Sequence, residues 1–150
     1  MLRFFSKRFR RRDGAQPLGD SGTGHYDNSS PPKHSIHCKV LLLDGTDLTL
    51  YMRKKSIGEE IFQRVCDHLG LFVESDYFGL QYTDTHSQAH WLDNSKEIRR
   101  QVKIGPPYCL RFRVKFYCDD PNTLRDEYSR YLFFLQVSYI FFSFYLNLKF

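Results

Sequence analysis

The residues of this 150-residue chain that offer chemistry are mostly cations and histidines. Arg3, Lys7, Arg8, Arg10, Arg11 and Arg12 stand in the first twelve positions with no acid among them. A helix drawn through them puts Leu2, Phe5 and Phe9 on one side and the cations on the other. A segment of that composition can lie on an anionic membrane surface, where each basic residue contributes about 1 kcal/mol. The same residues also describe a solvated tail, and an Arg-rich, acid-free start resembles a mitochondrial transit peptide. A second basic group is Arg111, Arg113 and Lys115, which alternate with Leu110, Phe112 and Val114. On a strand this spacing places the three cations on one face, a candidate holder of phosphoinositide head groups or an acidic peptide. Its plainer reading is the wet face of a sheet.

Other constellations carry less. His34 and His37 with Cys38, and His86 with His90, have no Cys or carboxylate partners at a spacing that closes a tetrahedral site, so no metal is expected. The four cysteines (Cys38, Cys66, Cys109 and Cys118) form no C-x-x-C pair and suit a reducing compartment. There is no glycine-rich phosphate loop, nucleophile elbow or acid/base set, so neither catalysis nor a cofactor is expected. Six of the 22 basic residues sit in the first twelve positions, which leaves the remainder within one charge of neutral. A nucleic-acid-binding surface is therefore not indicated. No apolar stretch with a cleavage site opens the chain, and a cytoplasmic location follows.

The elements that must position these residues follow from periodicity. Residues 1–34 join the basic tail to a Gly-, Ser- and Pro-rich linker that buries too little to offset the entropy of ordering. Ile36, Cys38, Val40 and Leu42 then alternate as the core face of a strand. Asp44-Gly45 signals a two-residue hairpin, and Leu48 to Met52 the return strand. Ile57, Ile61, Val65 and Leu69, widened by Phe62 and Cys66, predict an amphipathic helix that Ser56 opens and Gly70 closes. Tyr77–Tyr82 reads as a strand, His90–Leu92 as a shorter one, and Lys96–Val102 as one or two helical turns. The last strand puts Tyr108, Leu110, Phe112, Val114 and Phe116 on one face. Tyr77 and Trp91 are read as core or hinge packing. This order is that of an α+β, ubiquitin-like β-grasp, a mixed sheet curled on one helix, over residues 35–118. Asp120-Pro121-Asn122 starts a further helix over 119–137, with Leu124, Tyr128, Tyr131, Leu132 and Leu135 as an apolar stripe lacking a partner.

Five blocks in this order resemble the FERM domain of the band 4.1 superfamily. They are Ser75 to Leu80 (SDYFGL), Ala89 to Asp93 (AHWLD), Gln101 to Leu110 (QVKIGPPYCL), Arg113 to Tyr117 (RVKFY) and Arg130 to Phe133 (RYLF). The opening Met-Leu-Arg-Phe-Phe and the Gln-Ala-His-Trp-Leu-Asp block look most like Yurt/Lulu-type members. The resemblance implies the first, ubiquitin-like lobe and the start of the second, helical lobe. It also implies a non-catalytic adaptor that binds cytoplasmic tails of transmembrane proteins, cortical cytoskeletal proteins and anionic phospholipids at the cell cortex and junctions. The alternative is the N-terminal piece of a FERM-bearing tyrosine phosphatase or kinase.

Departure from the family comes after Val137, where residues 138–150 are aromatic and apolar. Val-Ser-Tyr can be encoded by a sequence matching a splice donor, so this stretch reads as translated intron, with a membrane anchor as the alternative.

Overall fold

The computed structural model describes residues 34–147. Strand β1 (Ser35–Leu41) turns Ile36, Cys38 and Val40 inward and the residues between them outward. It pairs antiparallel with β2 (Asp47–Arg53), in register from Ser35↔Arg53 to Leu41↔Asp47. The connection is one residue longer than Asp44-Gly45 alone implies. The Gly45 N–H donates to the Leu42 carbonyl at 3.2 Å and the Leu42 N–H to the Thr46 carbonyl at 2.8 Å, with Gly45 at φ 84°. Leu43-Asp44-Gly45 is thus a three-residue loop. The extra residue, Leu43, is buried, while Asp44 and Gly45 stay exposed.

Helix α1 (Gly58–Leu69) buries Ile61, Phe62, Val65 and Cys66. Ser56 does not cap its free amides; its hydroxyl donates to Glu60 Oε2 at 2.8 Å. Carbonyls distant in sequence take that role. The Gly58 N–H donates to Lys96 O and the Glu59 N–H to Asn94 O, each at 2.9 Å. At the other end Gly70 adopts φ 69°, and amides of Gly70 and Leu71 close on the carbonyls of Asp67 and Cys66.

Strands β3 (Phe78–Thr83) and β4 (Ala89–Trp91), the short helix α2 (Ile98–Gln101) and strand β5 (Tyr108–Val114) complete the lobe. The five strands lie in the order β2-β1-β5-β3-β4, with β1 and β5 parallel and the other pairs antiparallel. This is the β-grasp, with α1 laid across one face. Ile61, Val65, Leu110, Phe112 and Val114 share one core, and the rings of Phe62 and Phe112 stack at 6.4 Å between centroids. Phe116 lies beyond the strand and is 57% exposed rather than on the core face. β5 ends at Val114, so alternation no longer governs that position.

The final helix starts later than the proline suggests. Asp120 caps only a single 3-10 turn at Pro121–Thr123, its Oδ1 accepting the Asn122 N–H at 2.9 Å. Asp126 then caps α3 (Glu127–Asn147), its Oδ2 accepting both the N–H and the hydroxyl of Ser129. α3 crosses Val137–Ser138 without interruption. Nor is its stripe without a partner. Leu132 is buried against the lobe, and a small crevice of about 60 Å³ there is lined by Leu42, Leu43, Asp44, Leu69, Tyr128 and Leu135 among others. Phe133 packs edge-on against Tyr77, Phe78 and Tyr117 at 5.5–6.0 Å. Tyr131, placed on the stripe by periodicity, is 49% exposed, because Ser129 and Gln136 hold the inward line instead.

Truncating Ile61, which is fully buried, should cost about 2–5 kcal/mol in an Ile61→Ala chain, read from denaturant midpoints. An unchanged midpoint would move the core elsewhere. The thiols give a second test. Burial pushes Cys38 and Cys66 up to about 12, so the folded chain holds these protons more tightly than the unfolded one. Their contribution is complete below the unfolded thiol value of about 8.5 and is lost as pH rises toward about 12. Stability should fall over that window, and fall less steeply in a Cys66→Ala chain.

Candidate functional site

The outward face of the sheet collects the chemistry-bearing residues of β5 and its neighbours. In register, Arg113 stands opposite Gly79 and Arg111 opposite Gln81, and Gln81 in turn stands opposite Trp91. Arg111 is exposed, as is Lys115 just past the strand end. The Lys115 ammonium lies 5.9 Å from the Trp91 ring centroid and 5.1 Å from that of Phe116. Trp91 is not a core residue: it is 36% exposed and lies across Gly79. A Cβ at Gly79 would come within 3.2 Å of both the Trp91 ring and the Lys115 chain, so a glycine lets the indole lie down on the sheet. Sequence reading missed this cation–aromatic patch. The signal for it was the pair Trp91-Leu92 at the end of β4: with Leu92 turned into the core, its neighbour Trp91 turns the other way.

The expected three-cation stripe is reduced to two. Arg113 is only 8% exposed, although its spacing puts it beside Arg111 and Lys115. The reason is α3, which crosses the end of β5. Gln136 Oε1 accepts the Val114 N–H at 3.4 Å, and the ring of Tyr139 lies over the Arg113 guanidinium with 4.7 Å to its centroid. Arg113 Nη1–H donates to the Phe112 carbonyl at 3.0 Å. Burial lowers the guanidinium below its ordinary value, and Tyr139 opposes that shift. Arg113 is thus covered between strand and helix, where a cation–π contact with the half-exposed Tyr139 ring is worth about 0.5–2 kcal/mol. It is not available to a ligand on the open face.

The other expected residues fall as follows. Arg3, Phe5, Lys7, Arg8, Phe9, Arg10, Arg11 and Arg12 lie outside the described residues. His37 stacks on Tyr51 at 5.3 Å on the outer face of β1 and β2. His90 Nε2 is 2.8 Å from Asp84 Oδ2, while Asp84 Oδ1 accepts the amides of His86 and Gln88. Those bonds, the Gln88 amide first, hold the Asp84 carboxyl below its usual range. The arrangement closes a turn. Among the described residues no three His, Cys, Asp or Glu side chains converge on a point that holds a metal ion.

A second surface feature is α3 beyond Gln136. From Tyr139 to Leu146 every residue is exposed, and Phe141, Phe142 and Phe144 are each 63–66% accessible. No helix among the described residues is long and apolar enough to cross a membrane.

A family model described as the FERM N-terminal domain matches residues 40–104. Over 103 residues the chain is 47% identical to Band 4.1-like protein 3 of Homo sapiens, an alignment covering 69% of this chain and 9% of that protein. It is 48% identical over 103 residues to Tyrosine-protein phosphatase non-receptor type 4 of Homo sapiens, covering 68% of this chain and 11% of the phosphatase. Among solved structures, the FERM and C-terminal domain complex of Drosophila Merlin superposes with a TM-score of 0.62 at 35% identity. That superposition covers 69% of this chain and 35% of the Merlin chain. The myosin VII MyTH4-FERM MF2 domain of Dictyostelium discoideum, at 18% identity and a TM-score of 0.53, shares the fold. The chain spans about a tenth of the length of the curated relatives it matches. The β-grasp, its strand order and the matched segment agree: the chain carries a FERM N-terminal domain, and over that stretch it is similar to band 4.1-like proteins.

Proposed function

We propose that this chain acts as the non-catalytic leading part of a membrane–cytoskeleton adaptor. It binds the cytoplasmic tails of transmembrane proteins, cortical cytoskeletal proteins and anionic lipid at the cytoplasmic face of the plasma membrane, junctions included. The observation that carries this reading is the FERM N-terminal lobe itself, a fold that offers surfaces rather than a reaction centre, on a chain 47% identical to Band 4.1-like protein 3. Its domains in this reading are the basic tail and linker 1–34, the lobe 35–118, the first helix of a second lobe at 119–137 and the divergent stretch 138–150. Within the family we assign it to the Yurt/Lulu-type members, on its first residues and the Gln88–Asp93 block.

Two basic elements divide the work. The six cations of residues 1–12, with Leu2, Phe5 and Phe9, supply attraction to an anionic leaflet. Arg111 and Lys115, next to Trp91, offer an acidic peptide two charges and an aromatic surface on a rigid sheet. A second reading, the leading part of a FERM-bearing tyrosine phosphatase, is favoured by the 48% identity to the non-receptor type 4 enzyme. A longer transcript from the same locus separates the two.

The lipid arm is tested by co-sedimentation with anionic and neutral vesicles at low and high salt. The excess binding to anionic over neutral vesicles should be present at low salt. It should vanish at high salt, where exposed charges are screened within about 3 Å at 1 M. Deleting residues 1–12 should remove that excess, while Arg111→Gln with Lys115→Gln should reduce it only slightly. If the strand substitutions remove it and the deletion does not, the sheet face is the lipid reader instead.

A further inference from the structure

The outer half of α3 is a surface that neither the tail nor the sheet face accounts for. An α-helix turns once every 3.6 residues, so eight consecutive exposed positions, Tyr139 to Leu146, present their side chains around the whole circumference. Those side chains include Ile140, Phe141, Phe142, Phe144 and Leu146, each 49–66% exposed. No charged residue occurs between Tyr131 and Leu148. A second protein surface covers one side of such a helix and leaves the other side in water. Hydrocarbon covers all sides at once, and a helix apolar all round belongs in a core or a membrane.

The eight exposed residues rise about 12 Å, which fits within the roughly 15 Å of one leaflet's hydrocarbon. That agrees with the absence of a membrane-crossing helix among the described residues. The root of the segment is cationic. Tyr139 lies on Arg113, and Arg111 and Lys115 flank Arg113 on either side along the chain. When the helix points into a leaflet, these cations stand where phosphate head groups are, so the charge of the root and the apolarity of the tip suit the same surface.

We infer that Tyr139–Leu146 enters a single leaflet of a lipid membrane as an apolar wedge, rooted at Arg113 and flanked by Arg111 and Lys115. The wedge goes beyond the electrostatic tail of residues 1–12 and does not depend on it. Its signature is different as well: insertion of apolar side chains needs no anionic lipid and survives salt that screens exposed charges.

The experiment floats the full 150-residue chain with neutral phosphatidylcholine vesicles at about 1 M salt, where attraction of the tail to lipid is screened. The native chain should float with the vesicles. An Ile140→Asp, Phe144→Asp chain should lose more than about tenfold of that partition, since a carboxylate opposes entry into hydrocarbon. Both side chains are exposed, so the helix content of the variant should be unchanged by circular dichroism. A Phe72→Asp, Val73→Asp chain, altered at two other exposed apolar positions, should float like the native one. Two results overturn the inference. A native chain that stays lipid-free and monomeric denies the wedge. A native chain that stays lipid-free as a dimer, which Ile140→Asp with Phe144→Asp splits, gives the helix to a second copy. Neither result bears on the salt-sensitive, anionic-lipid binding of the tail, which fails or stands separately.

Discussion

Everything in the lobe depends on one parallel pairing, that of β1 with β5. Cys38↔Tyr108, Val40↔Leu110 and their neighbours join segments about seventy residues apart, so the pairing carries the closure entropy of that long loop. Val40 and Leu110 are each no more than 1% exposed, so burial compensates for the closure, and α1 supplies the cover. The helix is also fixed from below. Its first amides are held by carbonyls of Asn94 and Lys96, and Ile57 bridges to Glu97, which ties α1 to the segment that leads back into β5. Helix position and strand pairing are therefore not separable: a shift in either leaves buried amides of the other without acceptors.

The same constraint shapes the functional face. β5 is central, so its outward side chains sit in the middle of the open face, with Gln81 and Trp91 on one side and β1 on the other. At its last residue the strand has an amide, that of Val114, which meets no strand partner beyond β3. Gln136 from α3 takes it. Together with the packing of Leu132 and Phe133 on the lobe, that bond keeps the helix over the strand end, and Arg113 lies beneath Tyr139 rather than open to a partner. The number of cations on the open face is decided by where the strand stops and what closes it.

Sequence periodicity made the lobe legible because its elements are strongly two-sided. Alternation in β1 and β5 and the Ile61–Val65 row of α1 each name their buried face without help from the rest of the chain. What stayed hidden has one cause, contacts between residues far apart in sequence. Ser56 has the composition of a cap, yet the caps of α1 come from residues 94 and 96. Asp120-Pro121 looks like a helix start, yet Asp126 six residues later offers the same chemistry and is the one that caps α3. Arg113 alternates correctly and is nonetheless buried, because burial there depends on a helix residue 26 positions downstream. Of the candidate site, the cation positions were readable from spacing. Trp91 over Gly79 was not, since only the β3–β4 register brings them together.

The apolar excess of α3 follows from a mismatch of lengths. Its 21 residues run to about 31 Å, and the part facing the lobe ends near Gln136, where β5 has already stopped. Over the first half, the inner line is Ser129, Leu132, Phe133 and Gln136, a mixed face: Leu132 and Phe133 pack on the lobe, Gln136 accepts from the strand end, and Ser129 donates to Asp126. Over the second half no sheet remains to cover anything, yet the residues become more apolar rather than less. A helix that leaves its support normally turns polar, because exposed aromatic surface in water is costly at about 25 cal/mol per Å². Here the change runs the other way from Tyr139 onward, with charge absent and phenylalanine dominant. The lobe cannot be the environment that this half of the helix is composed for. A surrounding that accepts apolar side chains from every direction at once, next to a face that keeps Arg111 and Lys115 in water, has the layered polarity of a membrane's edge.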